Sequence, residues 1–260
     1  MYPGAKLWQS VPFLLGFVLA SLGHAQQLTA APFSLGTNAP ATKSPATNAP
    51  AIHSRPASGR PGQPPADSVT PLLDQAFQFL EQKQLDAALR TVNAALQAAP
   101  QNPDAYDLRG TIYAEMKLWD QAEKDYQTVL RINGKYTQVK FNLAEIQFIL
   151  KKYDEARPGF AALEQDPTLS DFTAYKVFLC DLFGGHEDVA AKELAAFNQV
   201  GSNASYYLGN AAWSLYHHKT EDARGWLSSA EKIYAPKKFK LYAASLINLG
   251  YMPLPPPPQH

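Results

Sequence analysis

The stretch that decides the fold is PDAYDLRGTIYAEMKLWDQAEKDYQTVLRINGKY, from Pro103 to Tyr136. Its Ala122 belongs to a series. Ala88, Ala122, Ala156 and Ala190 stand 34 residues apart, and Ala223 follows after 33. Four residues beyond each alanine come Val92, Tyr126, Phe160, Leu194 and Leu227. Seven beyond come Ala95, Val129, Leu163, Phe197 and Ala230. Offsets of four and seven place these side chains on one helical face. Twelve residues before each alanine come Ala76, Gly110, Ala144, Phe178 and Ala211, four of the five being small. Two helices that cross closely need a small residue on each at the contact, and a period of 34 is that of a stacked helix–turn–helix array. One such unit cannot hide its apolar face, but a stack can.

Around this spacing the best copy carries Tyr106, Leu108, Gly110, Tyr113, Trp119, Ala122, Tyr126 and Leu130. The next carries Asn142-Leu143-Ala144, Tyr153-Asp154-Glu155-Ala156 and Phe160. In these positions the sequence resembles the tetratricopeptide repeat (TPR) family. The resemblance implies an all-α fold, a right-handed TPR helical solenoid of about five repeats. They span about 69–102, 103–136, 137–169, 170–202 and 203–236, inside a solenoid of 71–252 that ends in a capping helix at 237–252. The repeat positions are Ala76, Ala88, Gly110, Trp119, Ala122, Tyr126, Ala144, Tyr153, Ala156, Phe160, Ala190, Ala211 and Ala223. Phe178 breaks the small-residue rule and is expected to splay the fourth pair or shift its register by a residue, with Gly184-Gly185 as its turn. Pro158 is expected in the first turns of its helix, where a missing N–H is tolerated.

The flanks differ in composition. Of 21 prolines, five lie in the repeat body and most of the rest punctuate Pro32–Pro71 and the tail Pro253–His260. Val11–Leu22 is a 12-residue apolar run, followed by Gly23-His24-Ala25 with small residues at −3 and −1 of a cleavage site. That pattern predicts a signal peptide at 1–25, since a membrane span needs about 20 apolar residues. Residues 26–70 read as a disordered Pro/Ala/Thr-rich linker, and 253–260 as a stiff Pro-rich tail. The expected location is periplasmic or extracellular, with the bacterial envelope favoured. The net charge is zero, with +3 in residues 1–70 and −3 in the remainder, which argues against nucleic acid as a partner.

No phosphate loop, nucleophile elbow or zinc-protease motif is present. No cofactor, metal or catalytic residue is assigned. Cys180 sits among Phe178, Leu179 and Leu182 and reads as a buried small hydrophobe. Asn203-Ala204-Ser205 fits a glycosylation sequon. A hydrolase reading would require His186, His217 and His218 to converge on a carboxylate. In TPR solenoids the first helix of each repeat lines a concave surface. Transferred position by position, the resemblance implies a partner-binding lining of Asp107, Thr111, Phe141, Asn142, Glu145, Phe148, Tyr175, Leu179 and Ala212, the alternative being that the aromatics pack on the next repeat or beneath the protein's own tail. The positions that would grip a chaperone-type C-terminal carboxylate hold Asp74, Phe77, Leu108, Thr111, Gln138 and Asn142, and only Asn142 fits. The chain therefore resembles exported bacterial TPR proteins of uncharacterised role. The implied function is a non-catalytic protein- or peptide-binding scaffold. The alternative is an envelope assembly factor anchored by an uncleaved N-terminal segment.

Overall fold

Small residues at the helix crossings set the architecture. The computed structural model describes residues 69–163, 169–200 and 203–252. The expected signal peptide, linker and proline tail lie outside these residues. Eleven helices and no strand occur among them. They are α1 (Val69–Glu81), α2 (Leu85–Ala98), α3 (Pro103–Glu115), α4 (Trp119–Ile132), α5 (Thr137–Ile149) and α6 (Tyr153–Ala161). Then come α7 (Ser170–Phe183), α8 (Glu187–Val200), α9 (Ala204–Tyr216), α10 (Thr220–Ile233) and α11 (Pro236–Asn248). Each odd-numbered helix from α1 to α9 pairs with its successor, and each pair stacks on the next.

Ala88, Ala122, Ala156, Ala190 and Ala223 are wholly buried at the crossings, as are Ala76, Ala144 and Ala211 on the facing helices. At Gly110 an added Cβ would lie 2.8 Å from the Tyr126 ring, so the aromatic at that crossing leaves space only for a hydrogen. At Gly159 it would meet Ala144 Cβ at 2.7 Å and the Lys140 carbonyl at 2.8 Å, so α5 and α6 touch through backbone. Phe178 has the opposite effect. Its buried ring stacks edge-to-face on Phe197 at 5.6 Å, and α7–α8 packs more loosely than the other four pairs. Gly209 of α9 then approaches Phe197 and Leu194 of the displaced α8.

Pro158 is the sixth residue of α6, in the second turn, within the first turns expected for it but past the positions whose N–H is free. Its missing N–H and its ring weaken the ladder there. With nine residues, α6 is the shortest described helix.

Every first helix ends in the same way. Lys83, Lys117, Lys151, Gly185 and His218 all have positive φ, between 58° and 88°. Each donates its N–H three residues back, and the next residue donates five back, as in Lys117 to Ala114 and Leu118 to Tyr113. This is the Schellman stop, which satisfies carbonyls that a helix end otherwise strands. Gly250 and Tyr251 repeat the pattern after α11, so α11 has the ending of a first helix.

A left-handed conformation strains any residue with a Cβ, and a lysine lacks the short polar side chain with which asparagine or aspartate bonds its own backbone. Lys151→Gly is therefore expected to stabilise the fold by about 0.5–1 kcal/mol. Urea unfolding would register this as a higher midpoint at unchanged slope. An unchanged or lower midpoint would refute the strain argument.

Candidate functional site: one helix face, half covered

The site is the outward face of the first helices, and its geometry is set by α11. Pro236 starts α11 three residues after Ile233 ends α10. The helix packs on α9 and α10 and reaches back to α7. The Tyr242 hydroxyl donates to Asp171 Oδ2, while the Ser205 hydroxyl of α9 donates to Asp171 Oδ1. The Tyr242 ring lies 5.0 Å from Phe172 and 5.2 Å from Tyr175, centroid to centroid. Lys176 Nζ, on a side chain 1% exposed, donates to Ser245 Oγ at 2.9 Å and pairs with Glu145 of α5 at 2.8 Å. It also stands 4.3 Å from the Phe148 ring centroid and 4.9 Å from that of Phe160. A buried ammonium persists only when paired and hydrogen-bonded, and here three helices share the task.

This arrangement corrects the expected groove. Phe141, Asn142, Glu145, Phe148, Tyr175 and Leu179 are buried, and so is Ala212. They do not form an open lining. Their aromatic members pack within and between repeats, as in Phe141, which lies 5.5 Å from Phe160 of its own pair and 6.2 Å from Phe172 of the next. Tyr175 lies beneath α11. Asp107 and Thr111 keep partial exposure.

Register shows what remains open. The α7 positions Phe172, Tyr175, Lys176 and Leu179 correspond, 34 residues earlier, to Gln138, Phe141, Asn142 and Glu145 of α5. A further 34 back they correspond to Asp104, Asp107, Leu108 and Thr111 of α3, and then to Thr70, Leu73, Asp74 and Phe77 of α1. On this face Phe77 is 41% exposed, and Asp74 and Asp104 are exposed. Gln138 donates to Asn142 Oδ1 at 3.1 Å, and the Thr111 and Tyr126 hydroxyls lie 3.2 Å apart.

Asp107 is the perturbed group of the open part. Its carboxyl is pushed up to about 7, first by burial and then by the charge of Asp104, against a lowering hydrogen bond with Asn142. Its Oδ1 is shielded from water and has no hydrogen-bond partner.

The other sequence candidates take separate local roles. His186 Nε2 lies 2.8 Å from Asp154 Oδ1, His217 Nε2 lies 3.4 Å from Glu187 Oε1, and His218 is the exposed left-handed residue of its turn. Each imidazole thus has its own surroundings. No group of three His, Cys, Asp or Glu among the described residues could hold a metal. Burial pushes the Cys180 thiol up to about 12, which suppresses the thiolate a nucleophile needs. The sequon asparagine Asn203 caps α9, its side chain accepting from the Tyr206 N–H at 3.1 Å. Sequence reasoning missed Asp171, Lys176, Tyr242 and Ser245. One signal was present: Lys176 is the lone cation in the apolar run from Phe172 to Cys180.

Two measurements probe these electrostatics. Lys176→Met leaves Glu145 without its cation and is expected to cost about 3–5 kcal/mol, read by urea unfolding. A cost below about 1 kcal/mol would show that the pair is not coupled to the fold. For Asp107 the folded value lies above the ordinary 3.8. Between pH 4 and 7 the folded chain holds a proton that the unfolded chain has released, so stability falls as pH rises through that window. Asp107→Asn escapes this loss and is expected to stabilise more at pH 8 than at pH 4. An equal effect at both values would overturn the assignment.

No protein-family profile matches the chain, and no curated protein sequence matches it. Solved structures do. YrrB, described as a TPR protein with an unusual peptide-binding site, is 20% identical over 68% of this chain and 92% of its own, with a TM-score of 0.51. A tetratricopeptide repeat protein from Parabacteroides merdae is 17% identical over 71% and 74%, at 0.52. PilW, a type IV pilus biogenesis factor, is 17% identical over 71% and 87%, at 0.51. At such identities the likeness is one of fold. Together with the 34-residue helix pairs, it identifies the fold of this chain as a TPR solenoid.

Proposed function

We propose that the protein is a non-catalytic interaction module that works outside the cytoplasm and holds an extended segment of a partner on the open face of α1 and α3. One observation carries the reading. The same face is seated with aromatic and hydroxyl contacts by α11 over α7, and among the described residues nothing covers it over α1 and α3. A surface that already accepts a helix of its own chain has the shape and chemistry to accept another segment. The peptide-binding site described for YrrB supports the class of function by likeness of fold. Export rests on the apolar run Val11–Leu22 and the small residues of Gly23-His24-Ala25.

The test is site-directed crosslinking in the native cell-envelope fraction, with a photoreactive residue placed at Phe77. A defined adduct is expected, lost in Thr111→Arg and retained when the same probe is moved to exposed Glu231 only as background. Equal adducts from both positions would sink the concave-face reading. Sequencing of the exported chain is expected to begin at Gln26. A chain that starts at Met1 in the membrane fraction would instead favour the anchored assembly factor.

A further inference from the structure

We infer that the edge of the last repeat, where α10 turns into α11, is a peripheral docking surface for an anionic lipid bilayer. It lies at the end of the stack furthest from α1, so a chain resting on it keeps the open face free. Ile233 ends α10 and Pro236 starts α11. Within this short stretch Lys232, Lys237, Lys238 and Lys240 are all exposed. Among the described residues no carboxylate pairs with Lys232, Lys238 or Lys240. Two carboxylates stand nearby. Glu231 is exposed next to Lys232, and Asp171, whose charge reaches Tyr234, accepts the Ser205 and Tyr242 hydroxyls. The lysines outnumber them.

Beside the lysines lies a set of linked rings. Tyr206 and Tyr207 of α9 pack edge-to-face on Trp226 of α10 at 5.4 and 6.3 Å, and Tyr207 lies 6.0 Å from Tyr234. All four are half-buried. Lys238 Nζ stands 4.9 Å from the Tyr234 ring centroid, which puts ammonium and ring on one surface. Tryptophan and tyrosine present an apolar body and a polar tip, and such side chains favour the headgroup layer. Lysine stems cover apolar surface while their heads stay wet.

Ile233 decides the class of partner. At 53% it is the most exposed large hydrophobic among the described residues, and it is flanked by Lys232 and Tyr234. A soluble phosphate or a nucleic acid would engage the lysines and leave Ile233 in water. An apolar protein surface would take Ile233 and bury ammonium groups without partners. Anionic headgroups above an acyl boundary satisfy both, as for an interfacial helix with a basic rim and an apolar tip. No helix among the described residues is long and apolar enough to cross a membrane, and docking of this kind needs none.

The experiment uses the full chain with an environment-sensitive fluorophore on Ile233→Cys. Native Cys180 is buried with its thiol pushed up to about 12, and so does not compete for the label. A control carries the label on Glu155→Cys, exposed at the start of α6 and therefore at the opposite edge of the repeats. Vesicles are phosphatidylcholine alone, or two parts phosphatidylcholine to one part phosphatidylglycerol. The label at 233 is expected to brighten and shift to the blue on the anionic vesicles only, while the label at 155 stays unchanged. Each lysine at such a surface is worth about fivefold in affinity, so Lys232→Glu/Lys238→Glu/Lys240→Glu is expected to weaken the response by about 100-fold or more. Circular dichroism confirms that this variant is folded. Half-molar sodium chloride is expected to abolish the response of the unmodified surface without any further substitution. Equal responses at 233 and 155 would show that the vesicle is held by the N-terminal apolar run alone, and would refute the proposal. So would a response on phosphatidylcholine alone, one that survives salt or lysine reversal, or none on either vesicle.

Discussion

The constraint on which the molecule depends is the closeness of two crossing helices. Backbones can approach to contact only where neither helix carries bulk, and five alanines spaced by 33 or 34 residues meet that condition. Everything else follows from keeping it or relaxing it. Gly110 leaves room for Tyr126, and Gly159 lets α6 lie on the Lys140 carbonyl. Where Phe178 occupies the small position, the pair opens, an aromatic contact with Phe197 fills the space, and Gly209 draws the next helix in.

The buried polar groups follow a related logic. Lys176 and Asp171 lie about one and a half helical turns apart on α7, and both reach α11. Asp171 takes hydroxyl protons from α9 and α11, while Lys176 takes oxygens from α5 and α11. Such groups favour one docking of α11 over others, because a shifted helix would leave an ammonium or a carboxylate without its partner. Apolar contacts alone tolerate more than one seating.

The repeat, its period and its small positions were legible in the sequence because alanine and glycine at fixed spacing have few other uses. The helix stops were half legible. Gly184-Gly185 announced one, but Lys83, Lys117 and Lys151 adopt the same left-handed conformation without any compositional mark. The candidate site was the least legible part. Transfer of concave positions by register put Phe141, Phe148 and Tyr175 on an open surface, and nothing local in α5 or α7 signals that another segment lies over them. The covering contact joins Asp171 to Tyr242, 71 residues away, and depends on how the whole stack curves. Asp107 and Thr111 stayed at the surface because α11 does not reach their level, a fact that no pattern within α3 encodes.

The return of α11 to α7 also bears on how the chain comes apart. A simple solenoid has contacts only between adjacent units, so it frays from either end one unit at a time. Here residues from Phe141 to Leu246 form a single continuous core, whereas the first repeats hold two smaller ones, around Val92 and around Tyr126. Fastened to α7, the terminal helix cannot peel away without exposing Lys176 and Asp171. The C-terminal half is thereby made into one cooperative block, and local opening is left to the half that carries the uncovered face.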